Sequence, residues 1–136
     1  MKKLFAFLLI FALASCGDSN RTSSGNDYEN IIGKPVKFGN LLIAQYDFPT
    51  KMNWKVANSA CASLGNGWRL PTKDELNKIY QNKDDIGGFE KRYLYYWSSE
   101  EVGYGVPNSW LQSFEDGYQF GMSQSSKNNV RAVKSL

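Results

Sequence analysis

Apolar and polar positions divide this chain into three stretches with different rhythms. The first is a nearly unbroken apolar run from Leu4 to Leu13, preceded by Met1-Lys2-Lys3 and followed by Ala14-Ser15-Cys16. The second, from Gly17 to about Asn30, is polar, shows no period and offers almost nothing to bury. The third begins near Ile31 and mixes a period of two with helical spacing, which predicts packed strands and helices.

Within the third stretch, Val36-Lys37-Phe38 alternates and Leu41 to Phe48 is largely apolar, with Gly39-Asn40 between them, which predicts a hairpin. Trp54, Ala57, Cys61 and Leu64 follow 3-4-3 spacing behind Asn53, a good N-cap, and predict a helix closed by Gly65 or Gly67. A second helix is predicted after Trp68-Arg69-Leu70-Pro71. There Thr72 and Glu75 form a capping box, the hydroxyl accepting from the Glu75 amide and the carboxylate accepting from the Thr72 amide. Leu76, Ile79 and Tyr80 give this helix an apolar face that fades near Asn82. From Tyr93 the character is β. Tyr93 to Ser99 is rich in aromatics, Ser109 to Phe114 alternates, and Asp116-Gly117 predicts a turn into Tyr118 to Met122. Asn129 to Val133 predicts a closing strand, and Glu100 to Asn108 carries no signal for helix or strand. Helices enclosed between two groups of strands predict an α+β fold rather than βαβ alternation.

The short basic start, an apolar run too short to span a bilayer and small residues before Cys16 describe a secretory signal. The ending Leu13-Ala14-Ser15-Cys16 resembles a bacterial lipobox. That resemblance implies cleavage after residue 15 and a diacylglycerol thioether on Cys16, with palmitate-like chains. Two or three such chains anchor stably where one is marginal. The expected organisation is a signal peptide over 1–15, a lipidated cysteine and flexible tether over 16–32, and a folded domain over 33–136. The tether reaches roughly 20 Å as a random coil. The expected location is the bacterial cell envelope, lipid-anchored in the outer membrane.

Composition narrows the chemistry. The 136 residues carry a formal charge of +3, and cleavage removes Lys2 and Lys3, so about +1 remains and nothing points to nucleic acid. There are two cysteines; with Cys16 lipidated, Cys61 has no intramolecular partner and is expected as a buried thiol on a helix face. The chain has no histidine, which excludes Ser-His-Asp and Cys-His catalysis and the usual zinc sites. No carboxylate pair is marked by spacing as a glycosidase centre, and no enzyme activity is expected.

Four landmarks recur in one order: Met52-Asn53-Trp54 with Ala57 and Cys61; Gly67-Trp68-Arg69-Leu70-Pro71-Thr72 with Glu75-Leu76; Tyr96-Trp97-Ser98-Ser99; and Asn129-Val130-Arg131-Ala132-Val133. As an ordered set they resemble the bacterial family named for the C-terminal domain of the Legionella collagen-like protein, a domain of unknown function, over roughly residues 33–136. The resemblance implies a C-type-lectin-like fold, related also to formylglycine-generating enzymes, with two helices beside a twisted antiparallel sheet and paired terminal strands. It implies architectural roles for Trp68, Arg69, Leu70, Pro71, Thr72 and Glu75 at the start of the second helix. It also implies a core place for Trp97 and a place on the closing strand for Arg131. The redox cysteine pair of the formylglycine branch is missing. So are the Glu-Pro-Asn, Gln-Pro-Asp and Trp-Asn-Asp strings through which sugar-binding C-type lectins hold calcium.

Trp54, Trp68, Trp97 and Trp110 are assigned to the core. Tyr104 lies between glycines in the long loop, where no core strand uses it. With Asn108, Glu101 and Tyr118 it forms the candidate ligand-binding rim, since exposed rings with polar edges suit a sugar or a protein surface. No cofactor is expected. Calcium is the alternative, held by Glu100, Glu101 and Asp116 with Asn108 and loop carbonyls if the loop folds over the hairpin turn. The expected function is a monomeric envelope lipoprotein displaying a non-catalytic, C-type-lectin-like module for a glycan or surface protein. The alternative is a structural or assembly subunit of a larger envelope complex.

Overall fold

The computed structural model of the protein describes residues 29–103 and 105–136. The signal, Cys16, the tether up to residue 28 and Tyr104 lie outside the described residues. In chain order the elements are α1 (Glu29–Ile32), β1 (Val36–Phe38), β2 (Leu41–Ile43), α2 (Trp54–Ser63), α3 (Lys73–Gln81), α4 (Lys83–Ile86), β3 (Tyr95–Glu101), β4 (Asn108–Ser113), β5 (Gln119–Ser123) and β6 (Val133–Ser135).

Both main helices start where the sequence places a cap. The Asn53 side chain accepts from the Val56 amide at 2.9 Å, and α2 then buries Ala57, Ala60 and Cys61. At α3 the complete capping box forms: the Glu75 amide donates to Thr72 Oγ1 at 3.2 Å and the Thr72 amide donates to Glu75 Oε2 at 2.8 Å. These bonds satisfy amides that a helix start leaves unpaired.

The strands form two antiparallel sheets. In the first, ordered β1-β2-β6, the N-terminal hairpin pairs with the C-terminal strand. The second is the meander β3-β4-β5, whose last turn uses the predicted Asp116-Gly117. Gly117 is required there twice over: its φ is +82°, and a Cβ would stand 2.4 Å from the Tyr80 ring. The centre of the second sheet is buried on both faces, because successive strand residues point to opposite sides. Trp97 joins Ala57, Cys61, Trp68 and Leu111 in one core cluster, and its indole donates to the Met52 carbonyl at 2.8 Å. Its neighbour Tyr96 joins Ile43, Leu76, Ile79 and Phe114 in the other.

Four expectations are corrected. The tether expected over 16–32 gives way to structure at Glu29. Ile31 is buried, and the carbonyls of Ile32 and Ile31 accept from the Gln45 and Tyr46 amides at 3.0 and 3.1 Å. The closing strand is Val133–Ser135, so Arg131 precedes it rather than lying on it. The apparent alternation of 129–133 misleads because Val130, Arg131, Ala132 and Val133 are all buried as the chain passes through the interior. Glu100 and Glu101 belong to the end of β3, which leaves a loop of only 102–107 before β4. Trp110 is half-exposed rather than core, with the Lys73 ammonium 3.5 Å from its ring centroid.

Candidate functional site

A buried polar hub fixes one end of the second sheet. Arg131 Nε donates to Asp47 Oδ1 at 2.6 Å, and the Tyr96 hydroxyl donates to Asp47 Oδ2 at 2.5 Å. The other Arg131 nitrogens donate to the carbonyls of Ala44 (3.1 Å), Gly87 (3.3 Å) and Gly88 (2.5 Å), and the guanidinium lies 4.1 Å from the centroid of the Phe89 ring. The Glu90 amide donates to the Tyr96 oxygen at 2.8 Å. One arginine thus ties the segment after α4 to the core. Burial pushes the Asp47 carboxyl above its ordinary value against the pull of Arg131. It likewise pushes the Tyr96 hydroxyl up, aided by the Asp47 charge.

Beside this hub, the end of the sheet carries exposed aromatic rings. Tyr95 shares a face with Trp97, and Phe120 lies opposite Leu111, which lies opposite Trp97. Phe120 meets Tyr95 edge-on at 5.6 Å and stacks with Tyr118 at 5.8 Å between centroids. Tyr118 is 67 % exposed, Tyr95 40 % and the nearby Tyr93 73 %. Tyr93 adopts φ +56°, its carbonyl accepting from the Asn129 side-chain amide, and Lys51 Nζ stands 4.0 Å from its ring centroid. Beside these rings lies an open cleft of about 500 Å³, lined by Arg92, Tyr93, Tyr95, Ser113 and Glu115 among others. Three tyrosine hydroxyls, apolar ring faces and nearby cations suit a surface that grips a partner without reacting with it.

The predicted rim is not one site. Glu101 and Asn108 are neighbours at one end of the hairpin, where the Val102 amide donates to the Asn108 carbonyl at 2.9 Å. Tyr118 is at the opposite end of β4 and β5, roughly 17 Å away along the strand, and Tyr104 is outside the described residues. The same separation divides the candidate calcium ligands. Glu100 and Glu101 lie at the far end of β3, and the Glu100 carboxylate accepts from the Lys73 amide at 2.5 Å. Asp116 sits in the β4–β5 turn, its carboxyl held below the ordinary range by the Tyr118 amide. Among the described residues no three of His, Cys, Asp or Glu are grouped to hold a metal ion.

The remaining landmarks are architectural. Glu75 binds Arg69 through both oxygens, at 2.8 and 2.9 Å, besides capping α3. Trp68, Leu70, Pro71 and Trp97 are buried. Cys61 is fully buried, which pushes its thiol up to about 12 and leaves it unreactive at neutral pH. Of the exposed aromatic surface the sequence reading named only Tyr118. The signal for the rest was the pair of alternations, Tyr93-Leu94-Tyr95 and Tyr118-Gln119-Phe120, which gains meaning only when the hairpin register brings them to one face.

The family model described as the Lcl C-terminal domain matches residues 23–134. No curated protein matches the chain. Among solved structures, it is similar to botrocetin (13 % identity, TM-score 0.59), covering 76 % of this chain and 96 % of that one. It is also similar to the snake venom toxin convulxin (12 %, TM-score 0.60, 76 % and 96 %). A third similar structure is EMS16, described as an antagonist of the collagen receptor integrin α2β1 (10 %, TM-score 0.56, 75 % and 97 %). At these identities the likeness is one of fold, and that fold is C-type-lectin-like.

Proposed function

We propose that this chain, which belongs to the Lcl C-terminal domain family, is a non-catalytic module that binds a protein surface. A lipid on Cys16 holds it at the bacterial cell envelope, in the outer membrane. The observation that carries the reading is the row of surface rings in which exposed Tyr95 and Tyr118 both meet the half-buried Phe120, with exposed Tyr93 sharing a cleft with Tyr95. Aromatic rings anchor protein interfaces through large, stiff apolar area with hydroxyls at the edge. Support for a protein ligand comes from the same fold, since botrocetin is described in complex with a von Willebrand factor A1 domain. The separation of the acidic residues further weighs against calcium-bridged sugar. A glycan is the second reading, favoured by the open cleft beside Tyr93 and Tyr95.

The test compares the full lipidated chain with a Tyr95→Ser/Tyr118→Ser variant in detergent-solubilised envelopes and on a glycan array. The proposal expects a stoichiometric protein captured by the wild type and lost from the variant at unchanged melting temperature. Saturable sugar binding lost in the variant moves the reading to the glycan. Equal capture by both chains removes the aromatic surface from the function. Mass spectrometry of the mature N-terminus decides the anchor separately, by the presence or absence of acyl mass on Cys16.

A further inference from the structure

The two sheets present their open edges differently. The first sheet's edge, β1, is three residues long, with Pro35 just before it and exposed Lys37 at its centre. Shortness, proline and lysine are the usual guards against unwanted strand pairing. The outer side of β3 is occupied: the Trp97 amide donates to the Asn129 carbonyl at 3.2 Å and the Asn129 amide donates to the Tyr95 carbonyl at 2.9 Å. The edge strand β5, Gln119-Phe120-Gly121-Met122-Ser123, has neither charge nor proline, and none of these guards protects it.

The ladder decides which backbone groups β5 offers. The Ser113 amide donates to the Tyr118 carbonyl and the Gln124 amide donates to the Pro107 carbonyl, at 2.9 and 2.8 Å. Hydrogen-bonded pairs therefore fall at residues 118, 120, 122 and 124, and the amides and carbonyls of Gln119, Gly121 and Ser123 point away from β4. The Ser123 carbonyl already accepts from the Ser126 amide at 3.0 Å. Gly121 and Ser123 are exposed.

The order of side chains along this edge is self-complementary. About Gly121 the strand reads polar, apolar, glycine, apolar, polar. An antiparallel second copy centred on Gly121 sets Phe120 against Met122, Gln119 against Ser123, and Gly121 against itself. That register is also the one in which the outward groups meet. Gly121 exchanges two hydrogen bonds with its counterpart, and each Ser123 amide donates to the opposite Gln119 carbonyl. No side chain stands at the two-fold axis. We infer that β5 is a homodimerisation edge, joining two three-stranded sheets into one of six strands across a two-fold axis at Gly121. This departs from the monomer expected from sequence. Five residues a side make a small interface, short of the roughly 1,200 Å² of a stable free dimer. Association therefore shows itself at high local concentration, as on a membrane surface.

The test follows amide hydrogen exchange of the full chain at rising protein concentration, in detergent and in phospholipid vesicles, alongside sedimentation or proximity measurements. Dimerisation through β5 slows exchange of the Gly121 and Ser123 amides in step with concentration. The Phe120 and Met122 amides, already bonded to β4, change little. Ser123→Lys, at an exposed position, raises the dissociation constant at least tenfold; Gln119→Lys, which faces the partner's Ser123, is the second variant, and melting curves establish that each variant stays folded. Concentration-independent exchange at both amides, or association untouched by both variants, overturns the inference.

Discussion

Two arginine–carboxylate pairs brace this fold, and their surroundings make them different objects. Arg131 is 1 % exposed, and it shares its donors between Asp47 and the carbonyls of Ala44 and of the consecutive Gly87 and Gly88. Arg69 is 36 % exposed and meets a single carboxylate, Glu75, in a two-pronged bridge beside the start of α3, with further bonds to the Leu70 carbonyl and Ser135 Oγ. The acids respond oppositely. Burial wins at Asp47 and raises its carboxyl. At Glu75 burial also pushes upward, but Arg69 and the Thr72 amide outweigh it and hold the carboxyl below its ordinary value. The inner pair is a junction whose loss strands a charge; the outer pair is a reinforcement that water can replace.

The sharpest way to break the comparison is at the junction. Arg131→Met leaves Asp47 buried without its cation and is expected to lower unfolding free energy by about 3–5 kcal/mol in urea denaturation. Arg131→Met with Asp47→Leu costs less than the two single changes added, because no charge is left stranded. If the double variant simply sums, the network is not a unit.

A backbone change reaches the same junction. Gly88 has φ +75°, and a Cβ there would stand 2.6 Å from the Gln45 carbonyl and 3.4 Å from Arg131 Nη2. Gly88→Ala is expected to cost about 1–3 kcal/mol, with faster exchange of the Glu90 amide. At the surface pair, Arg69→Ala costs about 1 kcal/mol or less, and high salt removes part of that difference. An equal loss for Arg69→Ala and Arg131→Met would erase the distinction between the two pairs.

The smallest effect is in acid. Glu75 lies below its ordinary 4.5 when folded, so the native state binds fewer protons than the unfolded chain. Its contribution is complete above 4.5 and is lost as pH falls through the folded value. Asp47, raised from 3.8, has the opposite sign: its stabilising effect is present below 3.8 and fades as pH rises through its folded value. Glu75→Gln is expected to shrink the fall in melting temperature between about pH 5 and about pH 3 relative to wild type. An unchanged fall would place the acid sensitivity elsewhere.

What the sequence made legible was written locally. Asn53 caps α2, Thr72 and Glu75 build their box, and Asp116-Gly117 turns the hairpin, because each signal needs only neighbours within a few residues. The order of landmarks carried the family. What stayed hidden depended on residues far apart in the chain. Arg131 reads as the polar position of a strand until Asp47, 84 residues earlier, is placed beside it. Trp110 reads as core until Lys73 is found over its ring. Asn108 and Tyr118 read as one rim until the strand length between them is laid out, and the aromatic surface needs the register of three strands.

One feature at the start of the fold has a mechanical side. The chain enters through α1, where the Ile31 and Ile32 carbonyls are gripped by the Tyr46 and Gln45 amides and the Ile31 side chain is buried. A pull on the N-terminal end meets this clasp before it reaches β1, and β1 is itself one edge of the sheet that β6 completes. Two backbone bonds and one isoleucine thus act as a strain relief. A force applied to the leading segment is therefore expected to load this clasp before it reaches the sheets and the aromatic surface.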